Sequence, residues 1–126
     1  MTLTEFLLDR IAEDESVARE AHYDGQRWVP EEEAVVAADR DLDPLLYLDR
    51  KRDARHAANW SPARVLAECE AKRQIIEEHR NPEGTEWCLR CVEHDGEDTP
   101  YPCPTLRALA TTIYTDHPDY RDEWRP

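Results

Sequence analysis

Three of the four cysteines fall close together, as Cys88-Leu-Arg-Cys91 and then Cys103 after eleven intervening residues. A Cys-x2-Cys turn lets two sulfurs face one ion, and a third thiol at this distance gives a four-coordinate zinc site that lacks one ligand. A disulfide is disfavoured in a reducing cytosol, and a redox pair would normally follow a strand and open a helix. Chance cysteines and iron–sulfur ligation are the remaining rivals. Zinc is the reading adopted.

His79, His94 and Cys69 compete for the fourth position. Cys69 and His79 lie ten residues apart on one expected helix, about 15 Å by the helical rise, so at most one can bind. His79 is preferred: it stands on the last turn of that helix, where it can fold back over the Cys-x2-Cys knuckle. Its rival role is a terminal histidine completing the helix dipole. His94 follows Cys91 closely in a polar stretch, and Cys69 sits midway along an apolar stripe as a small core residue. The expected ligand set is therefore His79, Cys88, Cys91 and Cys103. Cys103 also precedes Pro104, at an N-cap position where free N–H groups stabilise a thiolate. Four ordinary ligands leave no open coordination position, so the site is expected to be structural and no catalytic residue is assigned.

Other chemistry is weak. The three glycines form no phosphate-binding loop or dinucleotide fingerprint, and there is no His-Glu-x-x-His pair. Asp116-His117-Pro118-Asp119 could suggest acid–base work by His117, but a capped turn explains it better. The basic segment Arg50, Lys51, Arg52, Arg55 and His56 could grip a phosphate, yet Asp49 and Asp53 favour a salt-bridged solvated face. Glu31 to Glu33 reads as an exposed acidic turn.

The elements that must position the metal are mostly helical. Thr2-Leu-Thr-Glu5 forms a capping box, and Leu3, Phe6, Leu7, Ile11, Ala18 and Ala21 recur at helical spacing, giving a first helix that ends near Ala21 to Gly25. Residues 26 to 41 offer a small hairpin from Arg27–Val29 and Ala34–Ala37. Leu42-Asp43-Pro44 supplies staple, cap and first-turn proline for a second helix from Pro44 to about Asn59. Trp60-Ser61-Pro62 does the same for a third over 62 to 80, with Val65, Leu66, Cys69, Ile75 and Ile76 as its buried stripe. A loop of about twenty residues, Asn81 to Pro102, then needs something to tie it down. Pro104 to Tyr114 reads as a fourth helix with Leu106, Leu109, Ala110 and Ile113 on one face, and Tyr120 and Trp124 pack the tail by their rings.

The bulk properties agree with a chain that needs a staple. It has 126 residues, a formal charge of −13, and only 22 Leu, Ile, Val and Phe residues. So thin a core sits near the disorder boundary unless its Trp and Tyr rings and a metal add stability. The fold is expected to be mainly α, with three to four helices, a small hairpin and a zinc-stapled loop. One domain is expected over 1–126, with the knuckle at 79–103. No apolar run is long enough for a membrane span and no targeting signal opens the chain, so a cytoplasmic protein is expected. Acid excess is even along the chain, which disfavours direct nucleic-acid binding.

The chain resembles a family of short proteins of unknown function found in actinobacteria and their phages. The resemblance rests on Ser61-Pro-Ala-Arg-Val-Leu-Ala-Glu-Cys-Glu-Ala-Lys-Arg73, on Tyr101-Pro-Cys-Pro-Thr-Leu-Arg107, and on Asp116-His-Pro-Asp-Tyr120 through Trp124-Arg-Pro126. It implies that the Cys-x2-Cys pairs with the later Pro-Cys and that a histidine belongs at position 79. The function expected is a zinc-stabilised phage or prophage accessory protein acting through contacts with a protein partner, without enzymatic activity. The alternative is an acidic decoy that mimics nucleic-acid charge and occupies a basic site on a host or defence protein.

Overall fold

The structure is a computed structural model that describes residues 1–21, 27–37, 44–92 and 96–126. Within them the elements run α1 (Leu3–Ala21), β1 (Trp28–Glu31), β2 (Ala34–Ala37), β3 (Pro44–Tyr47), α2 (Lys51–Asn59), α3 (Pro62–Glu78), β4 (Trp87–Val92), β5 (Asp98–Pro100) and α4 (Pro104–Ile113), then a 3-10 turn at Asp122–Trp124. Two compact units can be told apart. One comprises Met1–Ala12 with Ala71–Pro126, the other Glu13–Glu70.

The expectation of a mainly α fold is corrected by this order. Four helices are present among the described residues, but two small antiparallel sheets make the class mixed α/β. The second expected helix loses its first turn to β3. Pro44 has the placing of a helix-opening proline, yet Pro44–Tyr47 pairs with β2, Val35 opposite Leu46 and Val36 opposite Pro44, so that Leu45 is the extra residue of a bulge. Pro44 can occupy this place because it begins an edge strand. The proposed cap at Leu42 and Asp43 lies outside the described residues.

In the Glu13–Glu70 unit the sheet order is β1-β2-β3. Its core is Val35 with Ala54 and Ala58 of α2, against which Trp28, Leu46, Leu48 and Ala57 pack. Ala54, Ala57 and Ala58 share one helix face, and their small size lets α2 lie close to the strands. The expected hairpin is present, with Trp28 opposite Ala37 and Glu31 opposite Ala34. Glu32 sits at its turn with φ of 54°, and its carboxylate pairs with Lys51.

The other unit is built around α1. Its capping box is complete: the Glu5 N–H donates to Thr2 Oγ1 at 3.1 Å and the Thr2 N–H to Glu5 Oε2 at 2.7 Å. That Thr2 backbone donor is the main reason the Glu5 carboxyl is held below the usual carboxylate range. Leu3, Phe6, Leu7 and Ile11 are buried along one face. In α4, Leu106 and Ala110 are buried as expected, but Ile113 is half exposed, and so is Ile75 at the end of α3.

Arg107 ties the C-terminal tail to the segment before α4. Its Nε donates to the Pro102 carbonyl at 2.9 Å, and its Nη1 to the carbonyls of Glu123 at 3.2 Å and Arg125 at 2.9 Å. Arg107→Ala should therefore cost about 2 kcal/mol, the scale of charge-assisted hydrogen bonds, and should speed hydrogen exchange at Trp124 and Arg125. Unchanged exchange there would show that the tail is held by its rings alone.

Candidate metal centre

The stretch expected to be a loop contains the β4–β5 ribbon, which pairs Trp87 with Pro100 and Val92 with Asp98. Between those pairs the chain advances five residues along β4 and two along β5. The surplus is the Cys88–Cys91 knuckle, which leaves the ladder as a bulge. The backbone N–H groups of Arg90 and Cys91 face the Cys88 sulfur and favour its thiolate. The Leu89 N–H reaches the Arg80 carbonyl at 2.9 Å, and the Tyr101 N–H reaches the Glu86 carbonyl at 2.8 Å. The first bond fixes the ribbon to the chain just after His79, and the second closes the ribbon's open end.

His79 stands one residue beyond α3, its N–H bonded to the Ile75 and Ile76 carbonyls at 3.0 and 3.2 Å. Cys103 is the N-cap of α4, with φ of −72° and ψ of 165° and Pro104 in the first turn. Ahead of it, the Tyr101 hydroxyl accepts from the Thr4 N–H at 3.1 Å and pairs with Thr4 Oγ1 at 2.6 Å. The three segments that supply ligands are thus each anchored by their own backbone or side-chain bonds.

The structure brings together the four residues chosen from the sequence. His79 Nδ1 lies 3.5 Å from the Cys88 sulfur, 3.3 Å from Cys91 and 3.6 Å from Cys103. All four donor atoms lie within 4.8 Å of one another, and none of the cysteines is in a disulfide. A tetrahedral ion with metal–sulfur bonds of about 2.3 Å and a metal–nitrogen bond of about 2.0 Å would hold each sulfur about 3.5 Å from the nitrogen. The observed separations match that edge. The donor set could therefore hold a metal ion, with Nδ1 as the histidine ligand. Cys88 and Cys103 are buried, while His79 and Cys91 are partly accessible.

The thiols also show how protons and a metal would compete. Burial opposes ionisation of Cys88, but hydrogen bonds from the Arg90 and Cys91 amides and from neighbouring thiols outweigh it, so its pKa is lowered. Cys91 is pushed up from 9.0 to about 12, first by burial and then by Cys88 and Cys103 beside it. A thiol whose folded pKa is raised binds its proton more tightly in the folded chain. Without metal that stability is present below the ordinary pKa of 9.0 and is lost as pH rises towards 12. A metal bound by these residues would take the place of the protons, so loading near pH 7.5 should release about two to three of them, and affinity should rise with pH. Calorimetric titration in buffers of different ionisation enthalpy measures this number. Release of none would mean that thiolates do not bind the ion.

The remaining candidates are Cys69, His94, His117 and the basic segment. Cys69 is buried in α3 and is not among the four clustered donors. His94 lies outside the described residues. His117 Nδ1 accepts the Asp119 N–H at 3.1 Å and lies 2.9 Å from Arg10 Nη1, with its ring 5.7 Å from Phe6. Those bonds give it a place in a packed turn. In the basic segment, Arg50 grips Asp53 with two bonds of 2.8 and 3.0 Å and Lys51 pairs with Glu32. These are exposed ion pairs. What the sequence reading missed is the β4–β5 ribbon that presents the knuckle. The run Trp87-Cys-Leu-Arg-Cys-Val92 carries a strand signal that the cysteine spacing overshadowed.

A family model described as a family of unknown function (DUF6221) matches residues 1–126, and the chain belongs to that family. Neither the curated proteins nor the solved structures contain a match.

Proposed function

We propose that this DUF6221 member is a zinc-stapled interaction module, in which His79, Cys88, Cys91 and Cys103 hold a closed structural Zn2+ site and the chain acts through contacts with a protein partner. The observation that carries the zinc reading is the placement of three sulfurs at one tetrahedral edge length, 3.3 to 3.6 Å, from a single histidine nitrogen. Three thiolates and one imidazole suit zinc, and they fill its four positions. A closed site supplies folding energy, and it supports a role without catalysis. The cytoplasm, where thiols stay reduced, is the fitting compartment. Among the described residues no helix is long and apolar enough to cross a membrane. A phage or prophage accessory factor is the biological setting proposed.

The charge arrangement favours a plain interaction module over a nucleic-acid decoy. Carboxylates are interleaved with guanidinium groups, as in Arg64–Glu68 at 3.0 Å, Arg80–Glu77 at 2.8 Å and Arg125–Asp122 at 3.0 Å. A decoy would need unbroken rows of carboxylates at phosphate spacing.

Elemental analysis of protein purified without chelator tests the zinc reading. One equivalent of zinc per chain is expected, and less than about half an equivalent overturns it.

A further inference from the structure

Within the Glu13–Glu70 unit, the second half of α1, strand β1 and the start of α3 enclose a groove of about 280 Å³. Its walls are Val17, Trp28, Trp60 and Val65, and Asp14 contributes a carboxylate. Two of these side chains are markedly open to solvent, Val17 at 68% and Trp60 at 47%. We propose that this groove receives a lysine or arginine side chain from a basic segment of a partner protein. The proposal deepens the reading of the chain as an interaction module, on which it rests.

Aromatic walls with a carboxylate beside them suit a cation on an aliphatic stem. The stem's methylenes bury against Val17, Val65 and the indoles, while the charged head meets a ring face at the open rim. The molecule already shows that Trp60 takes a cation: the Arg64 guanidinium lies 4.2 Å from its ring centroid, although Arg64 is not one of the groove walls. Size points the same way. A volume of about 280 Å³ falls just short of the roughly 300–1,000 Å³ typical of small-molecule sites, and it accommodates one long side chain with its flanking backbone.

Charge selects the sign of the partner. The chain carries −13, and residues 13 to 70 hold 15 acids against 8 bases, a net of −7. On α1 the groove is flanked by Glu13, Glu15 and Glu20 with Arg19 the one base among them. Such a field attracts a basic segment and repels an acidic one.

The test uses the full metal-loaded chain and a fluorescein-labelled amphipathic peptide of leucine and arginine, read by fluorescence anisotropy at about 0.15 M salt. Replacing every arginine of the peptide by uncharged citrulline should weaken binding at least about tenfold. Val17→Arg and Trp60→Ala should each weaken it by about tenfold, whereas Tyr47→Arg, the same gain of one positive charge at an exposed residue of the Glu13–Glu70 unit that does not line the groove, should stay within about twofold. Circular dichroism checks that each variant is folded. Absence of measurable binding overturns the proposal, as does a citrulline peptide that binds equally well, which means apolar docking alone. It is equally overturned if Tyr47→Arg matches Val17→Arg, since that means diffuse attraction, or if the groove variants abolish self-association of the chain instead. Zinc content of the same samples separates the two readings: lost peptide binding with zinc retained fails the groove alone.

Discussion

Exchange of Cys103 for serine is expected to abolish metal binding and to unfold the unit formed by Met1–Ala12 and Ala71–Pro126. The Cys103 sulfur is fully buried and lies 3.6 Å from His79 Nδ1, so the proposed metal would join the start of α4 to the end of α3 through it. A serine hydroxyl is a hard, weakly acidic donor that zinc does not take in place of thiolate, and in that buried position it also needs a hydrogen-bond partner. Structural zinc binds small peptides with an apparent free energy of about 10–16 kcal/mol, while whole domains are stable by only about 5–15 kcal/mol. Loss of more than about 4 kcal/mol follows, in the range reserved for a broken metal site. Cys88→Ser should behave alike, since its sulfur is also buried and stands 3.5 Å from the same His79 nitrogen.

Cys69→Ser is the control, because it is a buried cysteine outside the cluster. It should keep one equivalent of metal and lose about 1–3 kcal/mol as a polar group placed in a core. Urea unfolding with parallel metal analysis distinguishes the two variants, and a chelator added to the unaltered chain should reproduce the Cys103→Ser curve. Retention of metal by Cys103→Ser, or its loss from Cys69→Ser, would show that the ligand set is wrong.

The clustering of His79 with the three cysteines was legible in the sequence because coordination chemistry restricts spacing more tightly than folding does. Cys-x2-Cys needs a tight turn wherever it stands, Cys103-Pro104 announces a helix start, and His79 falls where a strongly patterned helix must end. Helices α1, α3 and α4 were legible for a related reason: each has a cap residue followed by apolar residues at helical steps. The strands were not. Pro44-Leu-Leu-Tyr47 is as compatible with a helix opening as with an edge strand, and only its pairing with Val35 and Val36 decides between them. The β4–β5 ribbon is shorter than a reliable alternation and is interrupted by its own knuckle. Ile75 and Ile113 show the converse error, since an apolar side chain at the end of a helix can fall on the solvent side of the stripe without costing much.

The thin core has a support besides the proposed metal, and Phe6→Ala should remove it. Phe6 is the chain's single phenylalanine and is 0% exposed. Its ring lies 4.9 Å from Trp124, 5.7 Å from His117, 6.1 Å from Tyr120 and 6.3 Å from Tyr114, with the Arg10 guanidinium 5.2 Å away. One side chain from α1 therefore anchors both the end of α4 and the tail, joining segments more than a hundred residues apart in sequence. Truncation to alanine leaves a cavity and strips the ring contacts together, for an expected loss of about 3–5 kcal/mol. Phe6→Leu keeps most of the volume but none of the ring geometry, and should cost less, about 1–2 kcal/mol. With the ring gone, Trp124 loses its closest aromatic neighbour, so the near-ultraviolet dichroism of the tail should collapse in Phe6→Ala and persist in part in Phe6→Leu. Amide exchange at Trp124 and Arg125, whose N–H groups bond the Arg121 and Asp122 carbonyls at 3.0 and 3.1 Å, should rise in the same order. A Phe6→Ala chain that unfolds within about 1 kcal/mol of the parent, with Trp124 still protected, would mean that the tail does not depend on this ring and that the metal carries the unit alone.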